Sequence, residues 1–139
     1  MILLIRHGRA GRRGHAGPDD SLRPLDEKGI RQARALPALL DAYRIDRIVS
    51  SPFTRCTQTV EPLAEQARLE IEQRMALAEG APGDAARSLI RALGATAAVC
   101  THGDVIAELI GSGRRAHKGS VWVLEPETLE PVEYLRPQV

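Results

Sequence analysis

The sequence predicts an α/β fold, a three-layer sandwich in which a mostly parallel central sheet has helices on both faces. Short apolar runs of strand length alternate along the chain with longer segments whose apolar residues recur at helical spacing. This βαβαβ alternation is typical of a parallel sheet, because parallel strands need helical crossovers. A chain of 139 residues is long enough for one core, so we expect residues 1–139 to form a single domain.

The first strand and the first helix are separated by a long polar segment. The apolar run 1–5 predicts a buried strand, and the Gly-, Arg- and Asp-rich segment 9–24 predicts a loop after it. Apolar residues then recur at helical spacing from Asp26 to about Tyr43. Pro37 lies within this pattern and predicts a kink or an early break.

The middle of the chain repeats the order of strand, turn and helix. The run 47–49 predicts the second strand. Ser51 followed by Pro52 is typical of a helix start, with a capping residue before a proline in the first turn. Pro62 predicts a division of the helical region into two pieces, and residues 69–72 predict a short third strand.

Two further helices and two further strands are predicted in the last third of the chain. A helix beginning at Gly83 or Asp84 should end near Gly94, and a strand over 97–101 follows at once. Residues 105–110 predict another helix. Residues 120–124 predict the last core strand, before a tail rich in proline and glutamate.

Composition and charge exclude several classes of protein. The formal net charge of +1 gives no bias toward a polyanion, so we expect no nucleic-acid partner. Cys56 and Cys100 are too few for a disulfide framework and lack metal-binding spacing, which favours reduced thiols. The apolar start is short and is interrupted by Arg6, so we expect neither a signal peptide nor a membrane span, and a cytoplasmic location.

Two histidines follow predicted strands at the same kind of position. His7 comes after the first strand and His102 after a later one, where ligands bind in open α/β sheets. A neutral imidazole can attack phosphorus near pH 7, and guanidinium groups such as those of Arg6 and Arg55 can neutralise the oxygens of a phosphoryl group. Arg55 also falls near the start of a predicted helix, where the backbone favours an anion. These four residues predict a phosphoryl-transfer site.

The motifs that carry these residues resemble the histidine phosphatase superfamily, also called the phosphoglycerate mutase-like or RHG family. They are Arg6-His7-Gly8 after the first strand, the segment 50–59 with the sequence SSPFTRCTQT after the second, and Thr101-His102-Gly103 after a later strand. The resemblance covers nearly the whole chain, and the three motifs occur in the family's order.

The resemblance implies a role for each site residue. His7 would form a phosphohistidine intermediate, Arg6, Arg55 and His102 would bind the phosphate, and Gly8 would let the backbone approach closely. Glu79 matches the position of the acid that protonates the leaving oxygen, with Asp104 as the alternative. Neither a metal nor an organic cofactor is expected.

Within the family, the chain looks most like short bacterial members. These are phosphohistidine phosphatases of the SixA type and the phosphatase domain attached to some Nudix hydrolases. The segment 22–29, LRPLDEKG, matches the motif that opens their first helix, whereas no Nudix box is present. Mutase activity is not expected, because the loop between Arg9 and Leu22 is too short to enclose a phosphosugar. The implied substrate is a protein phosphohistidine or a small phosphomonoester.

Two other functions fit the same residues. A non-catalytic module could use the pocket to bind a phosphorylated partner, and a metal hydrolase could use the two site histidines as ligands, although no third clustered ligand is visible. The remaining histidines, His15 and His117, lie in polar loops and are interpreted as surface residues, and Cys56 as part of the helix packing. Oligomeric state is not predicted.

Overall fold

The computed structural model describes residues 1–14, 17–94 and 96–139, so His15 lies outside the described residues. Its six strands form one sheet in the order β3-β2-β4-β1-β5-β6. The strands are β1 (Ile2–Arg6), β2 (Arg47–Ser50), β3 (Ile71–Gln73), β4 (Ala97–Thr101), β5 (Val121–Leu124) and β6 (Pro131–Leu135). Strands β1 to β4 are mutually parallel, whereas β5 is antiparallel to both β1 and β6. Strand β6 therefore runs in the same direction as β1.

Helices cover both faces of this sheet, which confirms the predicted three-layer α/β architecture. The helices are α1 (Glu27–Leu39), α2 (Thr54–Ala67), α3 (Gly83–Arg91) and α4 (Gly103–Ile110). Successive side chains of β1 enter different cores: Ile2 and Leu4 pack with α3 and α4, whereas Leu3 and Ile5 pack with α1 and α2. Because both faces of the central strands are buried, they are apolar at nearly every position.

The two prolines within helical patterns both lie inside helices. The prediction that Pro62 divides the second helical region is wrong, because α2 is continuous from Thr54 to Ala67. A proline inside a helix costs about 3 kcal/mol, and the buried side chains of Val60 and Leu63 beside Pro62 offset that cost. Helix α1 passes through Pro37 but ends at Leu39, before the predicted limit at Tyr43.

Two other predictions about the elements also need correction. Helix α2 begins after Phe53, not directly after Ser51, although the Ser51 hydroxyl does accept a hydrogen bond from the Phe53 N–H at 3.2 Å. The tail rich in proline and glutamate contains a strand that was not predicted, because residues 131–135 form β6 at the edge of the sheet. In the described part of the predicted loop 9–24, residues 20–22 form a short 3₁₀ helix. Among the described residues, no helix has the length and apolar character needed to cross a bilayer.

Candidate active site

The register of β1 and β4 places the two histidines side by side. Arg6 pairs with Thr101 across these parallel strands, so the residues that follow both strands leave the sheet at the same edge. The His7 and His102 rings meet edge to face, with their centroids 5.3 Å apart. The convergence of the two strand ends that the sequence predicts is therefore present in the structure.

His7 is held as a neutral imidazole. Its side chain is only 6% exposed, and its Nδ1 lies 2.8 Å from the Gly8 carbonyl oxygen. This carbonyl can only accept, so Nδ1 carries the hydrogen and Nε2 is the nitrogen with a free lone pair. Burial, reinforced by the nearby His102 ring and by the positive charges of Arg55 and Arg6, lowers the pKa of His7 to about 3, against the opposing effect of the Gly8 hydrogen bond.

Arg6 lies at the end of β1 with its guanidinium against the start of α4. Its Nη1 donates a hydrogen bond of 2.6 Å to the Ala116 carbonyl, and its Nε is buried without a hydrogen-bond partner among the described residues. A Cβ on Gly103 would lie 3.0 Å from the Arg6 guanidinium carbon. Glycine at position 103 therefore lets the guanidinium lie close to the backbone at the start of α4.

Arg55 is fully buried in the first turn of α2. Its Nη1 donates to the Asp20 carbonyl at 2.9 Å, and its Nη2 lies 3.2 Å from carboxylate oxygens of both Asp20 and Glu79. The guanidinium also lies 5.0 Å from the centre of the Phe53 ring. Its Nε has no partner among the described residues, which leaves a donor for an additional acceptor such as a phosphate oxygen.

His102 immediately precedes α4 and is oriented by residues from α2 and from the turn before it. Its Nε2 lies 2.9 Å from the Ser51 hydroxyl and 3.5 Å from the Cys56 sulfur. Its Nδ1 is buried without a hydrogen-bond partner in the described chain and lies 4.0 Å from a Glu79 oxygen. Nδ1 is therefore the His102 nitrogen that is available to a ligand.

The two candidate acids have different surroundings. Glu79 is paired with Arg13, whose Nη2 lies 3.0 Å from Oε1, and with Arg55. Burial acts to raise the pKa of Glu79, but the hydrogen bond and charge of Arg13, with the charge of Arg55 and the nearby His102 ring, lower it overall. Asp104 instead accepts a hydrogen bond of 2.8 Å from the Gly80 N–H. Asp104 therefore holds the turn that follows Glu79.

Gly8 has a structural role that the motif did not reveal. Its N–H donates to the Thr59 hydroxyl at 2.9 Å, and a Cβ at this position would lie 3.0 Å from the Gly29 carbonyl oxygen. The close approach that glycine permits here is thus an approach to α1. We expected an approach to phosphate at this position.

Arg6, His7, Arg55, Glu79 and Asp104 line an open cleft of about 880 Å³, which we call the phosphate cleft, and His102 packs against His7 behind this lining. The four residues predicted to form a phosphoryl-transfer site therefore lie together, with both candidate acids beside them. The sequence analysis placed Arg13 near His7 without a role, and it missed the contributions of Asp20, Arg23, Ser51 and Lys118. Ser51, within the 50–59 motif, and Arg23, within the 22–29 motif, lie in segments that the sequence analysis singled out. The described residues contain no group of three or more His, Cys, Asp or Glu placed to hold a metal ion.

Comparison with known proteins shows the family to which the chain belongs. Residues 2–95 match the family model of the histidine phosphatase superfamily (branch 1). The chain therefore belongs to the histidine phosphatase superfamily. An 8-oxo-(d)GTP phosphatase of Mycolicibacterium smegmatis is 36% identical over 156 aligned residues, which cover 98% of this chain and 48% of that protein. The chain thus spans about half the length of this curated relative.

Solved structures show the same fold. The protein histidine phosphatase SixA complexed with tungstate superimposes with a TM-score of 0.79 at 23% identity, covering 98% of this chain and 96% of that one. A protein of Agrobacterium tumefaciens assigned as the phosphohistidine phosphatase SixA gives a TM-score of 0.80 at 25% identity, covering 98% and 97%. The predicted resemblance to the superfamily and to its SixA-type members is confirmed.

Proposed function

We propose that this histidine phosphatase hydrolyses phosphate monoesters or phosphohistidine by two in-line transfers, first to His7 and then to water. The observation that carries the proposal is the state of His7. It is a buried, neutral imidazole with Nδ1 anchored to the Gly8 carbonyl, it lines the phosphate cleft, and it lies beside the guanidinium groups of Arg6 and Arg55. No metal or cofactor is required in this scheme.

In the first transfer, His7 Nε2 attacks phosphorus and the bond to the leaving oxygen breaks. Arg6, Arg55 and His102 Nδ1 neutralise and orient the phosphoryl oxygens, as the unpartnered nitrogens of these three residues support. The leaving oxygen takes a proton from Glu79. In the second transfer, water attacks phosphorus and gives a proton to Glu79, the P–N bond breaks, and inorganic phosphate leaves.

Glu79 must be protonated to act as the acid, whereas its ion pairs favour the carboxylate in the empty cleft. Substrate binding resolves this conflict. A phosphate that engages Arg55 competes with Glu79 for the guanidinium, and its negative charge raises the pKa of a neighbouring carboxyl group. Protonation of Glu79 is therefore coupled to the arrival of substrate. A phosphohistidine substrate needs less help from an acid, because its leaving group is an imidazole.

The test is phosphate release in the presence of EDTA from a phosphohistidine-bearing protein and from an aryl phosphate, measured in parallel. We expect release from one or both substrates, and its loss in the His7→Ala variant with the fold retained by circular dichroism. Activity that persists in that variant contradicts the mechanism, and activity abolished by EDTA favours a metal hydrolase. Binding of a phosphorylated ligand without release would favour the phosphate-binding module.

A further inference from the structure

A second basic cavity adjoins the phosphate cleft and has no role in the mechanism above. This cavity, which we call the basic annex, has a volume of about 510 Å³. Its lining contains no aspartate or glutamate among the described residues but six cationic side chains: Arg6, Arg9, Lys28, Arg115, Lys118 and Arg136. Since the whole chain carries a net charge of only +1, this clustering is local.

The topology of the sheet brings these cations together from distant parts of the chain. Arg6 ends β1, and Lys28 lies in the first turn of α1. Arg115 and Lys118 lie in the connection between α4 and β5. Strand β6 runs parallel to β1, so Arg136, directly after β6, leaves the sheet at the same edge as His7.

Most of these cations lack a counter-charge. Arg9 is paired with Asp26 at 2.6 Å, but no ion pair involves Lys28, Arg115, Lys118 or Arg136 within the described residues. His117 Nε2 and Arg6 Nε are buried without hydrogen-bond partners in the same part of the chain. Burial and the nearby positive charges of Arg6 and Arg23 lower the pKa of Lys118. Asp26 offsets only part of the repulsion among these cations, which a bound anion would relieve further.

The annex and the phosphate cleft are continuous. Arg6, Arg9 and Lys118 line both cavities. A ligand whose terminal phosphoryl group lies beside His7 would therefore extend past Arg6 into a second site that is suited to another anion. The annex is open, and Ala116 is the one apolar side chain in its lining among the described residues.

We propose that the basic annex binds a second phosphate group of the substrate, so that the substrate is a small molecule with at least two phosphates. This inference rests on the proposed function, since it assigns the terminal phosphate to His7. The annex holds the second phosphate through Lys28, Lys118 and Arg136, while the cleft holds the group that is transferred.

Binding is measured directly, by calorimetry at near-physiological ionic strength with inorganic phosphate and tripolyphosphate as probes. We expect one tripolyphosphate per chain, competition between the two probes, and tripolyphosphate affinity higher by about tenfold or more. The variant Lys28→Gln/Arg136→Gln should lose most of this preference. The control Arg31→Gln/Arg91→Gln removes two exposed charges from α1 and α3 and should keep it.

Each outcome separates the annex from the catalytic proposal. Two outcomes overturn the annex proposal even if aryl phosphate is hydrolysed: equal affinity for the two probes, or a tripolyphosphate preference that survives in the annex variant. An acidic protein would then be the next occupant to test. Failure to hydrolyse any phosphate, with the tripolyphosphate preference intact and dependent on Lys28 and Arg136, contradicts the proposed function alone. Circular dichroism and thermal unfolding confirm that both double variants are folded.

Discussion

The Ser51 hydroxyl lies 2.9 Å from His102 Nε2 and fixes which nitrogen of this ring is available to a ligand. The same hydroxyl accepts the N–H of Phe53, so its own hydrogen is free to be donated to Nε2. The ring hydrogen of His102 then lies on Nδ1, which has no partner in the described chain. Ser51 is thus a positioning residue that makes His102 a hydrogen-bond donor to phosphate.

Replacement of Ser51 by alanine should lower kcat/KM by about tenfold, because a buried His102 ring loses the bond that fixes its tautomer. Ser51→Thr keeps the hydroxyl and should recover most of the activity. Nitrogen NMR of the imidazole should show a single His102 tautomer in the wild type and a mixture in Ser51→Ala. The matched control is Ser50→Ala, at a buried serine whose hydroxyl donates to the Ser51 carbonyl instead. A loss of activity in Ser50→Ala as large as that in Ser51→Ala would assign the effect to general destabilisation.

The lowered pKa of His7 predicts a pH dependence of stability. Between the usual pKa of a histidine, about 6.5, and the value of about 3 in the folded protein, the unfolded chain binds the additional proton. The His7 contribution to stability is therefore complete above that window and declines as the pH falls through it, by up to about 1.4 kcal/mol per pH unit. In His7→Gln, the free energy of unfolding should fall less steeply with acid.

Urea denaturation of both proteins between pH 6.5 and pH 4 measures the two slopes, over a range set by the reference pKa of about 6.5. Carboxylates such as Glu79 also bind protons in this pH range, but both proteins contain them. The difference between the two slopes is therefore due to His7. A carbon-detected titration of the imidazoles gives an independent result, with His7 identified by its absence in the variant. Parallel slopes, or a His7 titration near pH 6, would show that the ring is not held neutral by burial.

Glu79 is expected to matter most for substrates with poor leaving groups. Glu79→Gln removes the transferable proton but also an anion beside Arg55, so kcat should fall while phosphate binding is maintained or improved. We expect a decrease in kcat of about 100-fold for an alkyl phosphate and much less for nitrophenyl phosphate, whose leaving group needs no proton. The comparison variant Asp104→Asn keeps the acceptor for the Gly80 N–H and should show no dependence on the leaving group. If only Asp104→Asn showed that dependence, Asp104 would be the acid and Glu79 would not.

The parts of the site that sequence reasoning predicted are those fixed by local order along the chain. His7 and His102 each follow a buried apolar strand, so the parallel register alone brings them together. Arg55 could be predicted because it lies in the first turn of a helix that follows a strand, where the backbone favours an anion. Ion pairs between distant segments have no such signal: Arg13 and Glu79 are 66 residues apart in sequence, and either could have remained a solvated charge.

Strand β6 and the basic annex were missed for a related reason. The segment 131–135 has only partly buried or exposed residues, so its pairing with β5 depends on backbone hydrogen bonds at a sheet edge and not on a hydrophobic pattern. Arg136 reaches the annex only because that strand forms. The net charge of +1 gives no indication of the annex, because it sums charges from all surfaces, whereas the fold collects cations on one of them. Helix α2 continues through Pro62 because packing of its buried side chains outweighs the low helix propensity of proline.

The contact between α1 and the loop after His7 predicts an unusual response to a common stabilising change. Glycine to alanine inside a helix normally adds about 1 kcal/mol of stability. At Gly29, however, a Cβ would clash with the Arg9 carbonyl oxygen, which also accepts the Asp26 N–H at 3.0 Å. Gly29→Ala should therefore destabilise the protein by about 2 kcal/mol or more, and it should also lower activity because the displaced backbone is two residues from His7.

Thermal unfolding and aryl phosphate hydrolysis measured on the same preparations test both effects of Gly29→Ala. The matched control is Gly113→Ala, where a Cβ would meet no atom within 4 Å and which lies in the connection after α4. A Gly29→Ala protein as stable and active as this control would mean that the loop can move away from α1 at no cost. The backbone that holds His7 would then not depend on its packing against Gly29, and the close contact between Gly8 and α1 would be incidental to catalysis.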